Sequence, residues 1–424
     1  MSAAIKRFLS EFLVVSAGKI VSLGALFVCG IVVARFSGPV EFGRFSAALA
    51  IVLLLDVTLG GPLDFAAVRF SALHRNELER VARFHGATFR LKVLVVGAML
   101  AIAALARRPL AELVFSDPQE SALLVWCFGA TAALVLLRST FAWLQTATRF
   151  RAYAALDALN GVLRIGAIVG VGLAGMRSAE AFLGVLAGAI AGTYLGSLIF
   201  IRQPYLTAPR ASREDARAIL GFFGATAAIL ILGTFTGRSD ILFVGRLISP
   251  EAAGIYAAGA NIAAMITMAA SYACVILQPR LLHAGAASMR KMALASVGVG
   301  IVAALVLLPS AVFGGAWGLA MVFGEPYRAG APILEVLLIG TCLDLVFMPV
   351  LMTFSLQARP RGALIGEVVI TTLFVALILS FGERGALTIA WIATATRGCK
   401  LVLYSWLALS ARPDQATSTG GRSV

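Results

Sequence analysis

Twelve ionisable residues lie inside or at the edges of long apolar segments, where a charge is costly and usually functional. The cations are Lys19, Arg138, Arg164, Arg238, Arg397 and Lys400, and the acids are Asp56, Asp157, Asp240, Glu335, Asp344 and Glu367. Each such charge costs roughly 2.5–3.5 kcal/mol at the centre of a bilayer. We therefore expect these side chains to face the interior of a helical protein, where they pair with one another or bind a charged ligand.

The first of these cations, Lys19, follows Gly18, as a lysine follows a glycine in the phosphate-binding loop of nucleotide hydrolases. That loop also needs a glycine five positions before Gly18 and a serine or threonine after the lysine. The sequence has Leu13 and Ile20 at those places, so the motif is absent here. Lys19 is a charge within the first apolar segment.

Three ion pairs are predicted from depth, taking a helical rise of about 1.5 Å per residue. The pairs are Lys19–Asp56, Arg138–Asp157 and Asp344–Arg397. Buried pairs of this kind can hold helices in register without binding any ligand. We favour that structural role for Arg138–Asp157 and leave the role of Lys19 open.

Arg164 and Lys400 have no predicted partner at their depth. Arg164 shares a helix face with Asp157 and Asn160, and Lys400 lies one turn from Arg397. Unpaired cations near the midplane suit an anion, and arginine binds phosphate or carboxylate groups through two parallel hydrogen bonds. The predicted substrate-binding residues of a cationic cavity are Arg164, Lys400, Arg397, Lys19 and Arg138.

Other polar residues in these segments have two open interpretations each. The acids Asp56, Asp157, Asp240 and Asp344 either couple transport to an ion or pair with a cation, which for Asp240 would be Arg238. Candidate sugar contacts are Asn160, Gln145 and Asn261, although helix packing explains them equally well. No cofactor or metal is expected, because the five cysteines are scattered; coupling to protons or sodium stays open.

The composition indicates an all-α integral membrane protein. Of 424 residues, 60% are hydrophobic and 13% charged, whereas a soluble protein is about 45–50% apolar and about 25% charged. Windows of about 20 apolar residues predict twelve spans, at 12–34, 45–64, 91–106, 121–143, 152–175, 180–200, 218–238, 253–275, 292–312, 331–355, 363–381 and 386–408. The region 313–330 is predicted to be an interfacial connection.

The distribution of basic residues predicts the orientation. The two ends and the even-numbered connections hold 21 lysines and arginines, Lys92 among them, against eight in the odd-numbered connections. Both termini are therefore expected in the cytoplasm. This bias accounts for the net charge of +14 without nucleic acid. The connections are too short for a soluble catalytic domain, so we do not expect an enzyme.

The sequence repeats itself at half its length. "RFSGPVEFGRFSAA" from Arg35 matches "RLISPEAAGIYAAG" from Arg246, "VFSDP" matches "VFGEP", and "LQTATRFR" matches "LQARPRG". We expect an N-terminal six-helix lobe at 1–210, a C-terminal lobe at 211–410 and a cytoplasmic tail at 411–424. Parallel repeats of this kind are typical of transporters, with substrate near the midplane between the halves and alternating access.

Three blocks resemble Wzx-type oligosaccharide and polysaccharide flippases, members of the multidrug, oligosaccharidyl-lipid and polysaccharide exporter superfamily. The blocks are "VARFSGPVEFGRFSAALAIVLLLDVTLGG", "GRSDILFVGRLISPEAAGIYAAGANIA" and "FGEPYRAGAPILEVL". The resemblance implies two six-helix lobes around a central cavity. It also implies transfer of undecaprenyl-diphosphate-linked glycan, such as an O-antigen or other polysaccharide repeat unit, from the inner to the outer leaflet of the bacterial cytoplasmic membrane. Expected partners are that glycan, membrane lipid and polysaccharide polymerase or export machinery.

Two other functions remain as alternatives. A multidrug or cation exporter of the same fold would have an acidic cavity, which the cations near mid-depth disfavour. A membrane polysaccharide polymerase usually carries catalytic residues on a large outer loop, and the outer connections here are short.

Overall fold

The computed structural model describes a protein built from α-helices. It describes the backbone of residues 3–74, 77–282, 286–356 and 360–409, and no strand occurs in these ranges. Side chains are described for residues 24–74, 77–217, 219, 221, 224, 227–267, 297–347 and 362–406.

Thirteen α-helices follow one another in the described ranges. They are α1 (Ala3–Leu59), α2 (Gly61–Leu73), α3 (Leu78–Phe115), α4 (Ser121–Thr146), α5 (Phe150–Leu173), α6 (Ala179–Phe200), α7 (Arg213–Arg238), α8 (Asp240–Leu247), α9 (Pro250–Leu282), α10 (Ala286–Phe323), α11 (Ala331–Leu356), α12 (Pro360–Phe381) and α13 (Ala386–Leu409). Each predicted span overlaps one of these helices, and the span 45–64 covers the end of α1 and the start of α2, which confirms the all-α membrane fold.

Nine helical runs in the described part are long and apolar enough to cross a membrane, or ten if the bent pair α7–α8 forms one span. One of the nine, Gly24–Leu73, is bent at Gly38 and therefore contains parts of two predicted spans. Gly38 has φ 77°, a conformation that favours glycine because it lacks a Cβ. Pro39 follows it and lacks the N–H that would continue the helix.

The prediction of a connection at 313–330 was wrong for its first part, because α10 continues to Phe323. Only the short turn Glu325–Gly330 separates it from α11. Glycine weakens a helix in water, but a bilayer offers the backbone no other hydrogen-bond partners, so the helix persists. Phe313 and Trp317 are largely exposed on its surface, as suits contact with lipid.

Helix α3 begins at Leu78, thirteen residues before the predicted span. Its first turns are amphipathic: Val81, Phe84, Thr88 and Lys92 recur every three or four residues, and all are buried. The basic residues between them had suggested a loop. Lys92 therefore belongs to the helical bundle and not to a cytoplasmic connection.

The helices form two compact units. The first comprises Met1–Ala258 with Val322–Pro326, and the second comprises Gly259–Met321 with Tyr327–Val424. Within the first unit, α1 packs against α4, α5, α6 and α7, and α4 packs against α3 and α6. Within the second, α13 packs against α11 and α12. The division into six-helix lobes at residue 210 stays a prediction.

In the first unit, α1 and α9 cross at two glycines that the repeat makes equivalent. A Cβ on Gly43 would overlap the carbonyl oxygen of Pro250, and a Cβ on Gly254 would overlap that of Pro39. Small residues allow the backbones of membrane helices to approach this closely. This contact, called here the glycine crossing, fixes the start of α9 against α1.

Replacing Gly43 or Gly254 with alanine should destabilise the protein, because the new methyl group meets backbone that cannot rotate away. We expect a loss of about 1–3 kcal/mol, the usual cost of overpacking, seen as a lower Tm of the purified protein in detergent. Gly188→Ala is the matched control, since this glycine of α6 is exposed with open space around it. Equal melting temperatures for all three variants would contradict the close contact.

Candidate functional site

Charged residues from five helices, two buried and three partly buried, form a network in the first unit. The network comprises Asp56 on α1, Asp64 on α2, Lys92 on α3, Arg138 on α4 and Arg238 on α7. Two short ion pairs lie within it, and Asp56 interacts electrostatically with all four other members. We call this set the inner charge network.

The first pair joins Lys92 to Asp64, with 2.5 Å between Nζ and Oδ1. Lys92 is 1% exposed, and its ammonium also donates to Ser139 Oγ at 3.1 Å and to the Val135 carbonyl at 3.5 Å. An ammonium has three protons to donate, so these three contacts use its full capacity. Lys92 is thus held firmly between α2, α3 and α4.

The second pair joins Arg138 to Asp56, with 2.8 Å between Nε and Oδ2. The Asp56 side chain is fully buried, whereas 41% of the Arg138 side chain is exposed. Neither Asp56 oxygen accepts an aligned hydrogen bond from any described residue. The contact is therefore one of charge, between an inaccessible carboxylate and a partly exposed arginine side chain.

This pairing corrects the predicted partner of Arg138, which was Asp157. Both acids lie near the depth of Arg138, but α4 packs along α1 and brings it to Asp56. Depth calculated from helical rise gives one coordinate and does not say which way a side chain points. The predicted pair Lys19–Asp56 is not tested, because the side chain of Lys19 lies outside the described residues.

Arg238 connects the inner charge network to the bend between α7 and α8, which is 50°. It interacts electrostatically with Asp240, Arg138 and Asp56. Asp240 begins α8, where its carboxylate accepts a hydrogen bond from Ile241 N–H at 2.9 Å. With Asp240 included, three acids balance three cations.

A second buried group lies on one face of α5, as its spacing predicted. Asp157, Asn160 and Arg164 are all buried. Arg164 Nε donates to the Asn160 carbonyl at 3.2 Å, and Asp157 acts on the guanidinium electrostatically. Thr193 of α6 donates to Asn160 Oδ1 at 3.4 Å. The prediction that Arg164 lacks partners was wrong, because its own helix supplies them.

The second unit contains two ion pairs. Arg397 Nη1 lies 3.3 Å from Asp344 Oδ2, which confirms that predicted pair. Lys400 Nζ lies 2.6 Å from Glu367 Oε1, an oxygen that also accepts the Tyr404 hydroxyl at 2.9 Å. The prediction of an unpaired Lys400 was wrong, because α12 packs against α13 and presents Glu367 to it.

The remaining predicted site residues are not brought together by any described contact. Gln145 is exposed near the end of α4, and Asn261 is half-buried in the second unit. Lys92 is buried and Asp64 is half-buried, and the sequence analysis missed both charges. The amphipathic spacing of Val81, Phe84 and Thr88, continued to Lys92, was the signal that could have revealed Lys92.

Comparison with known proteins places the sequence in a family. The sequence model of the family described as polysaccharide biosynthesis protein matches residues 8–284. The chain belongs to this family. No protein of curated function is detectably similar to it in sequence.

Solved structures of the same fold are membrane transporters. The lipid II flippase MurJ, in an inward closed conformation, aligns over 94% of this chain and 88% of its own, with TM-score 0.72 and 11% identity. The MATE transporter VcmN of Vibrio cholerae aligns over 97% and 99%, with TM-score 0.66 and 13% identity. An inward-facing multidrug resistance MATE transporter of the MOP superfamily aligns over 91% and 93%, with TM-score 0.62 and 13% identity. At these identities the likeness shows the fold alone.

Breaking the Lys92–Asp64 pair should be costly for stability. Lys92→Met leaves the half-buried Asp64 carboxylate without its cation, and we expect a loss of at most about 3–5 kcal/mol, the cost of breaking a fully buried pair. Adding Asp64→Leu should recover most of that loss, because no uncompensated charge then remains. Thermal unfolding of the single and double variants in detergent measures both effects. A double variant no more stable than Lys92→Met would rule out the pairing.

Proposed function

We propose that this protein is a flippase for undecaprenyl-diphosphate-linked oligosaccharide, a polysaccharide or O-antigen repeat unit. It carries the headgroup from the cytoplasmic to the outer leaflet of a bacterial cytoplasmic membrane by alternating access, with both termini in the cytoplasm. Membership of the polysaccharide biosynthesis family supports the substrate class. The observation that carries the proposal is the set of cations held deep in apolar helices, each beside an acid.

The headgroup binds, in this proposal, by exchange of ion pairs. Its diphosphate takes a guanidinium or ammonium that an acid holds in the resting protein, and the acid recovers it when the headgroup leaves. Arginine suits this role because its planar fork matches two phosphate oxygens. The proposed substrate-binding residues are Arg138, Arg164, Lys19, Arg397 and Lys400.

Export of a drug or other organic cation is the second candidate function. The specific observation in its favour is the structural likeness to MATE multidrug transporters. An organic cation would bind the buried acids of these ion pairs, such as Asp56 and Glu367, and replace the lysine or arginine beside them. The two functions therefore differ in which side chains of the same ion pairs meet the substrate.

Depletion of the protein separates the two candidates. A flippase should leave lipid-linked oligosaccharide on the inner leaflet, because a charged and hydrated headgroup crosses hydrocarbon very slowly. The measurement is the fraction of that lipid accessible to a membrane-impermeant glycan-modifying reagent, in intact cells and in lysed cells. An unchanged lipid pool together with new drug sensitivity would favour the exporter. Outer-leaflet accumulation of unpolymerised units would indicate a polymerase.

Arg164→Ala and Lys400→Ala should abolish transport while the protein still inserts into the membrane. Complementation of the depleted strain measures transport, and the amount of protein in membranes measures insertion. Arg177→Ala is the control, since this arginine is exposed between α5 and α6. Lys400→Met with Glu367→Gln separates binding from folding, because it removes the ion pair without leaving a lone charge. Full activity of Arg164→Ala, Lys400→Ala and the double variant Lys400→Met with Glu367→Gln would refute the proposed site.

A further inference from the structure

The Asp56–Arg138 pair is asymmetric in its access to ligands. The Asp56 side chain is 0% exposed, whereas the Arg138 side chain is 41% exposed. An anion entering the first unit can therefore reach Arg138 but cannot reach Asp56. The anion and the Asp56 carboxylate compete for the same positive charge: once a phosphate oxygen takes the Arg138 N–H groups, the Asp56 carboxylate loses its closest partner.

No other described group is placed to replace Arg138. Lys92 of α3 already contacts Asp64 of α2, Ser139 of α4 and the Val135 carbonyl. Arg238 of α7 interacts more strongly with Asp240 of α8 than with Asp56. Asp64 is an acid and acts on Asp56 unfavourably.

Hydrogen bonds do not hold the Asp56 carboxylate in its ionised form either. Neither of its oxygens accepts an aligned hydrogen bond from a described residue. A buried carboxylate without a cation or donors favours its neutral, protonated form. Together with Asp240, the inner charge network has equal numbers of acidic and basic residues, so an added anion gives it an excess of negative charge.

We propose that Asp56 takes up a proton from water when an anionic headgroup binds Arg138, and releases it when the headgroup leaves. The Arg138–Asp56 contact breaks, a guanidinium–phosphate contact forms, and the carboxylate becomes a carboxylic acid. This inference rests on the proposed function, since it needs a diphosphate or similar anion as the ligand. If Asp56 carried this proton to the outer side, the proton would move against the usual proton gradient across the membrane. Its role is therefore to compensate the charge of the headgroup and not to drive transport.

Anion binding and proton binding are then linked, and each strengthens the other equally. Binding of a diphosphate should become tighter as the pH falls. Asp56→Asn imitates the protonated acid at every pH, so it should remove that dependence and free Arg138 in advance. We expect it to bind the anion about tenfold more tightly than wild type near neutral pH, which corresponds to roughly 1.4 kcal/mol.

The experiment is calorimetry of farnesyl diphosphate binding to the full chain in detergent at neutral pH, repeated in two buffers of different ionisation enthalpy. The difference gives the number of protons taken up. Wild type should take up about one more proton per bound diphosphate than Asp56→Asn. Asp215→Asn is the matched control and should behave as wild type. It breaks an Asp–Arg pair of the same unit, with 3.0 Å between Arg80 Nη2 and Asp215 Oδ1, outside the inner charge network.

The outcomes separate this inference from the proposed function. Equal proton counts in wild type and Asp56→Asn, with normal binding, would overturn the inference and leave the flippase proposal standing. Absence of diphosphate binding by wild type would overturn both. If Asp56→Asn does not fold, the wild-type protein still decides: affinity unchanged between pH 7 and 8, or loosened by acid, would refute proton uptake, and affinity that rises with acid would support it.

Discussion

An ionised side chain buried among apolar helices needs an opposite charge beside it, and the packing within each unit follows this requirement. Asp56 draws α4 to α1, Asp64 joins α2 to α3, and Glu367 ties α12 to α13. These contacts cross between helices and so set their rotation as well as their separation. Such pairs contribute little net stability compared with apolar residues of the same size, but breaking one leaves a lone charge and is costly. Their value is in specifying one arrangement.

The proposed function uses the same pairs. A permanently unpaired cation would hold a diphosphate too tightly to release it, whereas a cation shared with an acid can be taken and returned. The two cations of the inner charge network differ in how tightly they are held. Lys92 makes three contacts, whereas Arg138 pairs with one acid among the described residues and its side chain is partly exposed. The more constrained pair holds the helices together, and the less constrained pair is the one that exchanges partners in the proposed function.

Much of the fold, but less of the site, could be predicted from the sequence. The apolar windows located the helices, and the midplane position of Asp344 and Arg397 was enough to pair them. Arg138 was paired wrongly because helical rise gives depth only, and the direction of a side chain depends on which helices pack together. Lys92 was missed because a basic stretch was taken for a loop although its buried residues had helical spacing. The length of α10 was underestimated because glycine ends helices in water more readily than in lipid.

The glycine crossing has a consequence for the history of the chain. Gly43 and Gly254 occupy equivalent places in the sequence repeat, and each lies against the backbone of the other's helix. A surface that contacts its own equivalent is the kind through which two identical subunits associate about a twofold axis. An ancestor of half this length would have carried both faces of the contact on one surface and could have dimerised through it. Gene fusion would then preserve that dimer contact inside a single polypeptide.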